Sequence, residues 1–359
     1  MKNYPFWKSF IVVLFVFLGI VFSIPSIIYD DKSENWFLKN KINLGLDLQG
    51  GSYLLLEVQL DVLYKEELEN FSDSIRIIAR NNSTKINQII MNENNIVVSL
   101  EKTNKIEEIK SEFFQMYRGV GLQVVDNKIT IKLDDVYKKT IQDSAIKQSL
   151  EIVRKRIDES GTKEPLIQRS GKKRILLQLP GVKDPERIKE LLGKTAKLTF
   201  HLVDDDNTAA LKANIEPFGK MIVSDIYDEK IKYMLDKRAL VGGENLVDAK
   251  GSFDQTEGHA VSFRFDTEGA QKFGKITSSN IGNRLAVVLD GVVITAPRIN
   301  SAITGGSGII TGNFNAQEAA DLAVLLRAGA LPAPLEIVEE RSVGAGLGAD
   351  SIAAGKIAA

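Results

Sequence analysis

Residues 9–29 read SFIVVLFVFLGIVFSIPSIIY, without one charged side chain. No other feature constrains this chain as strongly. At about 1.5 Å per residue a helix over this run reaches roughly 30 Å, the thickness of a bilayer's hydrocarbon core. Lys2 and Lys8 precede it, and Asp30, Asp31 and Glu34 follow. Basic flanks stay on the cytoplasmic side. The expectation is a membrane anchor at 9–29, with the N-terminus cytoplasmic and the bulk of the chain outside. A cleavable signal peptide would have an apolar core of about 7–15 residues ending in small residues. This run is longer, and its one weak cleavage candidate is the VFS at 21–23.

The rest is ordinary protein. With 46 basic and 47 acidic residues the net charge is -1, which excludes a general attraction to nucleic acid or anionic surfaces. At 359 residues, 44% of them hydrophobic, two or three domains are expected. The chain has no cysteine, so disulfides, thiolate nucleophiles and Cys-ligated metals are excluded.

Periodicity organises the part beyond the anchor. Tyr53–Gln59 is strand-like, and Tyr64, Leu68, Phe71, Ile75 and Ile78 recur at helical steps. Ile86–Ile90 and Ile96–Leu100 flank a polar NENN turn. A second helix (Ile106, Ile109, Phe113, Met116) and a strand at Gly121–Val125 complete a β-α-β-β-α-β order, the ferredoxin-like unit. The order recurs. A strand at Lys128–Leu133 leads into a helix lined by Ile146, Leu150, Val153 and Ile157. Strands at Pro165–Arg169 and Arg174–Leu179, a helix opened by Pro185 and a closing strand at Lys197–Val203 follow. A third, looser round begins near Ala260. The stretch between, 204–257, carries 12 acidic and 7 basic residues and is predicted to be an insertion.

The fold class expected is therefore α+β: an N-terminal transmembrane helix, then a large exoplasmic region of ferredoxin-like subdomains with an inserted head. The predicted boundaries are 42–135 for an N-terminal strand and first subdomain, 136–203 plus 314–341 for a base, 204–313 for the head, and 342–359 for a glycine-rich tail. Asp204-Asp205-Asp206 is expected to be a solvated connector. Gly305, Gly306, Gly308 and Gly312 are expected to loosen the return crossing.

Little chemistry is visible. His201 and His259 lie at predicted strands without carboxylate spacing, and no HExxH, EF-hand or Walker loop is present. No catalytic residue, metal ligand or cofactor site is expected, and the chain is predicted not to be an enzyme. GLDLQGG, 45–51, could be a ligand loop or a structural turn. A strand, not a helix N-terminus, follows it, so phosphate has no dipole to sit on. Gly45, Gly50 and Gly51 fit a turn needing positive φ, with Asp47 and Gln49 tying its backbone. Asp290-Gly291 is a tight-turn pair between apolar runs. The residues alone imply a membrane-anchored, non-enzymatic α+β exodomain. One such form is a solitary domain that binds another envelope protein without transport.

Four separated stretches go further: GLDLQGG after the apolar run, LPGVKDPERIKELLGKTAKLTFHLV, NIGNRLAVVLDGVVITAPRINSAITGGSGIITGNF, and LLRAGALPAPLEIVEERSVGAGLGADSI. Together they resemble the SecD/SecF family of the bacterial Sec protein translocase, from about residue 42 to the end. The resemblance implies a subunit that works with SecF, beside the SecYEG channel and SecA. It would use the proton gradient to help secreted, unfolded polypeptides across the membrane by holding and moving them on the outer face. It implies structural roles for Arg327 and Gly329 within LLRAGALPAPLE, and it makes GLDLQGG a hinge at the start of the base's first strand, just after the anchor. Ile222, Val223, Ile226 and Tyr227 are candidate client contacts in the head, with a place in its core the stronger reading. It also implies five further membrane helices beyond Ala359, and with them any intramembrane carboxylates for proton coupling.

Overall fold

The structure, a computed structural model, describes residues 6–27 and 50–343 apart from 102, 163 and 183; the side chains of 22–27, 103 and 343 are not among those described. The chain divides into two units, one made of residues 1–50 with 343–359, the other of residues 51–342. In the first unit helix α1 (Phe6–Ile27) covers most of the apolar run. Its described side chains, 6–21, are nearly all exposed. No helix among the described residues is long and apolar enough to cross a membrane. The expected anchor, 9–29, continues past the side chains described.

The second unit is threaded through one four-stranded sheet. Strand β1 (Gly51–Val58) pairs antiparallel with β7 (Arg174–Pro180), and β7 with β6 (Leu166–Ser170). Strand β17 (Leu335–Val343) flanks β1, so the order is β17-β1-β7-β6. Alternation puts Ile175, Leu177 and Leu179 of β7 on the buried face with Leu54 and Leu56 of β1. Helices α4 (Asp135–Glu159) and α5 (Pro185–Gly193) pack there through Ile146, Val153, Ile188 and Leu192. Burying each such side chain contributes roughly 1.5–3 kcal/mol. Asp134 caps α4 by accepting from the Tyr137 N–H, and Pro185 opens α5.

This is a β-α-β-β-α-β path, but it is not made of consecutive elements. Between β1 and α4 the chain builds α2 (Leu60–Asn81), β2 (Ile86–Met91), β3 (Asn95–Leu100), α3 (Ile106–Met116), β4 (Gly121–Val125) and β5 (Lys128–Lys132). Its strands form a separate antiparallel sheet, β2-β3-β5-β4. Phe71 and Phe113 meet edge-on in its core with ring centres 5.5 Å apart. Two expectations are corrected. The strand near Tyr53, which periodicity assigns to the 42–135 subdomain, belongs to the first sheet, as the resemblance implies for the base's first strand. The strand at Lys128 closes the inserted sheet and does not open the next unit. Its hairpin partner is β4, across the two-residue turn Asp126-Asn127.

The second insertion lies between α5 and β17. Strands β8 (Leu198–Leu202), β11 (Val241–Gly242), β14 (Leu285–Leu289) and β15 (Val292–Thr295) form a sheet ordered β11-β8-β14-β15. Strands β12 (Leu246–Asp254), β13 (Gly258–Phe265) and β16 (Ser307–Phe314) form another, and β9 (Lys220–Ser224) with β10 (Lys232–Asp236) a hairpin. Helices α6 (Thr208–Lys212), α7 (Thr267–Ser279) and α8 (Ala316–Ala328) complete it. Phe200, Phe263, Phe265 and Phe273 meet edge-on or tilted in its core. The Lys197–Val203 run was expected to close the base. It pairs instead with β14 and β11, because Leu198 and Phe200 belong to this second core. The closing strand of the base is β17. The crossings therefore fall near 194–197 and 329–334, and not at the predicted edges 203/204 and 313/314.

Candidate functional site

The turn entering the base sheet is sharply bent: Gly50 has φ +70° and Gly51 φ +136°. A side chain at either position would strain the left-handed backbone. Gly51 then takes its place opposite Pro180. Gly45, Asp47 and Gln49 lie outside the described residues.

A cluster of polar contacts lies where the two insertion crossings meet. The two cores part there. Leu192 belongs to the base core and Leu191 to that of the second insertion; on the return, Leu326 belongs to the insertion and Ala328 to the base. Thr195 C=O accepts from the Leu331 N–H at 2.8 Å, so the outgoing and returning strands touch directly. Into this seam α4 inserts Arg156, fully buried at 0% exposure. Its Nη1 donates to the carbonyls of Leu191 (2.7 Å) and Lys194 (2.5 Å), its Nη2 to those of Thr195 (3.1 Å) and Gly329 (3.2 Å). Burial pulls its pKa down to about 10, while the charge of Asp290 acts the other way.

Asp290 holds the same connector from the opposite side. Its carboxylate accepts from the Thr195 hydroxyl (2.6 Å) and from the backbone N–H groups of Ala196 (2.9 Å) and Lys197 (2.8 Å). The β14–β15 turn makes this possible: Asp290 has φ +49° and Gly291 φ +83°, the paired left-handed conformation of a tight hairpin. Arg327 of α8 donates to both carboxylate oxygens of Glu159 on α4 and to the Ala249 carbonyl on β12. Gly329, at φ +92°, terminates α8. Thus Asp290, Gly291, Arg327 and Gly329 come together at one junction, and Arg156 joins them. Arg156 was missed by the sequence reading. Its signal was available: it occupies an apolar-stripe position, three residues after Val153 and beside Ile157.

The proposed connectors are not connectors. The Asp204 carboxylate accepts from Lys220 (2.6 Å) and from the Asn207 amide (2.7 Å), and Lys220 also bonds Asp236 (2.7 Å). These bonds, Lys220 foremost, hold the Asp204 pKa down at about 2. The glycines near 306 serve close packing: an added Cβ at Gly308 would come within 2.6 Å of the Phe263 ring, and one at Gly306 would collide with Ala270.

Of the expected client contacts, Val223 is core, packed with Leu235 and Val288, and Ile222 is half-buried. Ile226 and Tyr227 are 43% and 50% exposed. Ile215, Phe218 and Ile231 of the same stretch are also exposed. The neighbourhood is therefore more apolar than the four predicted residues. His201 is buried, its ring nitrogens bonded to the Asp236 carbonyl (2.7 Å) and the Thr199 hydroxyl (2.9 Å), and burial lowers its pKa. No group of three or more His, Asp or Glu among the described residues could hold a metal ion.

These features match known proteins in order along the chain. Residues 36–59 match the SecD/SecF GG motif, 146–205 the N-terminal P1 domain of the protein translocase subunit SecDF, and 220–333 the SecDF P1 head subdomain. These matches leave 60–145, with most of the first insertion, between them. The protein translocase subunit SecD of Rickettsia bellii is 39% identical, over 99% of this chain and 69% of its own length. That of Magnetococcus marinus is 37% identical, again over 99% of this chain and 69% of its own. A crystal structure of SecDF in a super-membrane-facing form superposes with a TM-score of 0.52 at 28% identity, covering 95% of this chain. The chain spans about a third of that structure's length, 36%. The chain belongs to the SecD family of protein translocase subunits.

Proposed function

We propose that this chain is the anchored outer-face portion of a Sec translocase subunit that, with SecF, uses the proton gradient to help secreted polypeptides across the cytoplasmic membrane beside SecYEG and SecA. Its base is ferredoxin-like, α1 is part of a membrane anchor, and the second insertion is a head that binds the emerging chain and turns on the base. It works by binding and movement, not by catalysis. The observation that carries this reading is the junction: the head is joined to the base by two connectors that touch at Thr195 and Leu331. A body joined at one place can rotate as a unit.

Two further features support it. The exposed Ile226, Tyr227, Ile215 and Phe218 offer an unfolded chain apolar contacts that need no particular sequence. At the far end of the base sheet the Gln59 N–H donates to the Pro334 carbonyl, so β1 and β17 run antiparallel. Both chain exits, near 50 and 343, then leave the sheet at the same end, as a domain tethered twice to one membrane requires.

The test is a reversible lock. Cysteines introduced across α4 and α8 near Glu159 and Arg327, at Cα separations below about 7 Å, form the sole disulfide in a chain without native cysteine. In the full-length protein the oxidised lock is expected to block assisted secretion and reductant to restore it. Undiminished secretion with the disulfide complete would refute a turning head.

A further inference from the structure

We infer that Arg156 is the pivot of the head: one base-borne guanidinium that keeps both connectors together while the head turns about them. The inference rests on the reading that the head moves on the base, and it assigns that movement an axis.

The contacts between head and base fall into two classes. At the rim, Arg327 pairs with Glu159 and Arg187 of α5 with Asp321 of α8. All four side chains are 20–35% exposed, and ion pairs that solvent reaches hold less firmly than a sealed one and exchange more readily. At the centre, Arg156 is sealed from water and reaches carbonyls on both connectors, 35 to 173 residues away in sequence. Releasing a buried guanidinium or leaving its carbonyls bare is far more costly than breaking a rim pair. A rotation therefore loses the rim first and keeps the centre.

Arg156 is the fully buried polar contact of the seam, and the ion pairs lie at its rim. The residues on either side of it belong to two separate apolar cores, so the head slides over the base without tearing a continuous core. The Nε of Arg156 is buried and bonded to nothing among the described residues. That spare donor lets the guanidinium take a new carbonyl before it gives up an old one as the connectors twist. Arginine suits this role better than lysine, because its two terminal nitrogens reach four carbonyls and an ammonium offers three donors on one nitrogen.

The experiment measures head orientation directly in the full chain. Spin labels go on cysteines replacing exposed Glu151 of α4 and Lys275 of α7, giving a base-to-head distance. A second pair, replacing Lys275 and Arg238, lies wholly in the head. The base-to-head distribution is expected to broaden or split in Arg156→Gln, with the head-only distance unchanged. Arg156→Lys, which keeps the buried charge but has at most three donors for the four carbonyls, is expected to show the same loss in milder form, and it is read alone if the Gln variant does not fold. An unchanged base-to-head distribution in a folded variant overturns the inference. So does a head-only distance that broadens equally, which would make Arg156 a head-folding residue. The measurement needs no export, so a head that turns without serving secretion would leave the pivot standing.

Discussion

The Asp290 turn allows two contributions to be separated by substitution. Asp290 has φ +49° and grips the connector with three bonds, from Thr195, Ala196 and Lys197. Asp290→Gly removes the grip and leaves the backbone content. Asp290→Ala removes the grip and adds a methyl to a left-handed residue. Charge-assisted hydrogen bonds contribute up to about 1.5–3 kcal/mol each, but this carboxylate is exposed, so about 1 kcal/mol per bond is the fair value. The glycine variant should lose roughly 2–3 kcal/mol. The alanine variant should lose about 1 kcal/mol more, the strain of αL for a residue with Cβ. Asp290→Asn tolerates αL and keeps one acceptor, so it should lose only about 1 kcal/mol. Urea unfolding followed by near-ultraviolet circular dichroism reads all three. Alanine and glycine variants of equal stability would refute the backbone argument. A glycine variant as stable as the parent would show that the connector is not held by this carboxylate.

Two other outcomes follow from packing and charge. Gly308→Val should destabilise the head by roughly 1–3 kcal/mol, since its Cβ meets the Phe263 ring at 2.6 Å in a filled core; a thermal shift of the variant measures it, and an unchanged midpoint would show that β16 can retreat. His201 is buried with its pKa pushed below 6.5, so the folded chain resists a proton that the unfolded chain accepts. Its contribution is therefore present above about pH 6.5 and lost as pH falls; unfolding free energies from pH 7.5 to 5 should decline in the parent and decline less in His201→Gln.

Local structure was readable because its causes are local. The stripe Leu68, Phe71, Ile75 and Ile78 is buried in α2 as its spacing requires, and Asp290-Gly291 turns where paired turn residues sit between apolar runs. Strand partnership was not readable in the same way. The run at Lys197–Val203 alternates as well as any base strand, and nothing in its residues says that the true closing strand begins at Leu335. One misplaced strand carried a usable signal. Asp126-Asn127 is a two-residue turn between Val125 and Lys128, with Asp126 at φ +51°, and such a turn binds β5 to β4 before any longer connection can compete.

Arg156 shows where the remaining information lay. A guanidinium on an apolar helix stripe cannot be left bare, because an unpaired buried charge costs several kcal/mol. Its presence three residues after Val153 therefore requires backbone carbonyls that no regular helix or sheet has already used. Such carbonyls occur where elements end: at Leu191 in the last turn of α5, at Lys194 just beyond it, and at Gly329 beyond α8. A charged residue in a stripe thus marks a place where chain ends of secondary elements converge. Two converging ends with separate cores on either side make a joint. The sequence displays the demand at position 156, but the four acceptors lie up to 173 residues away, and only the folded chain shows that both connectors answer it.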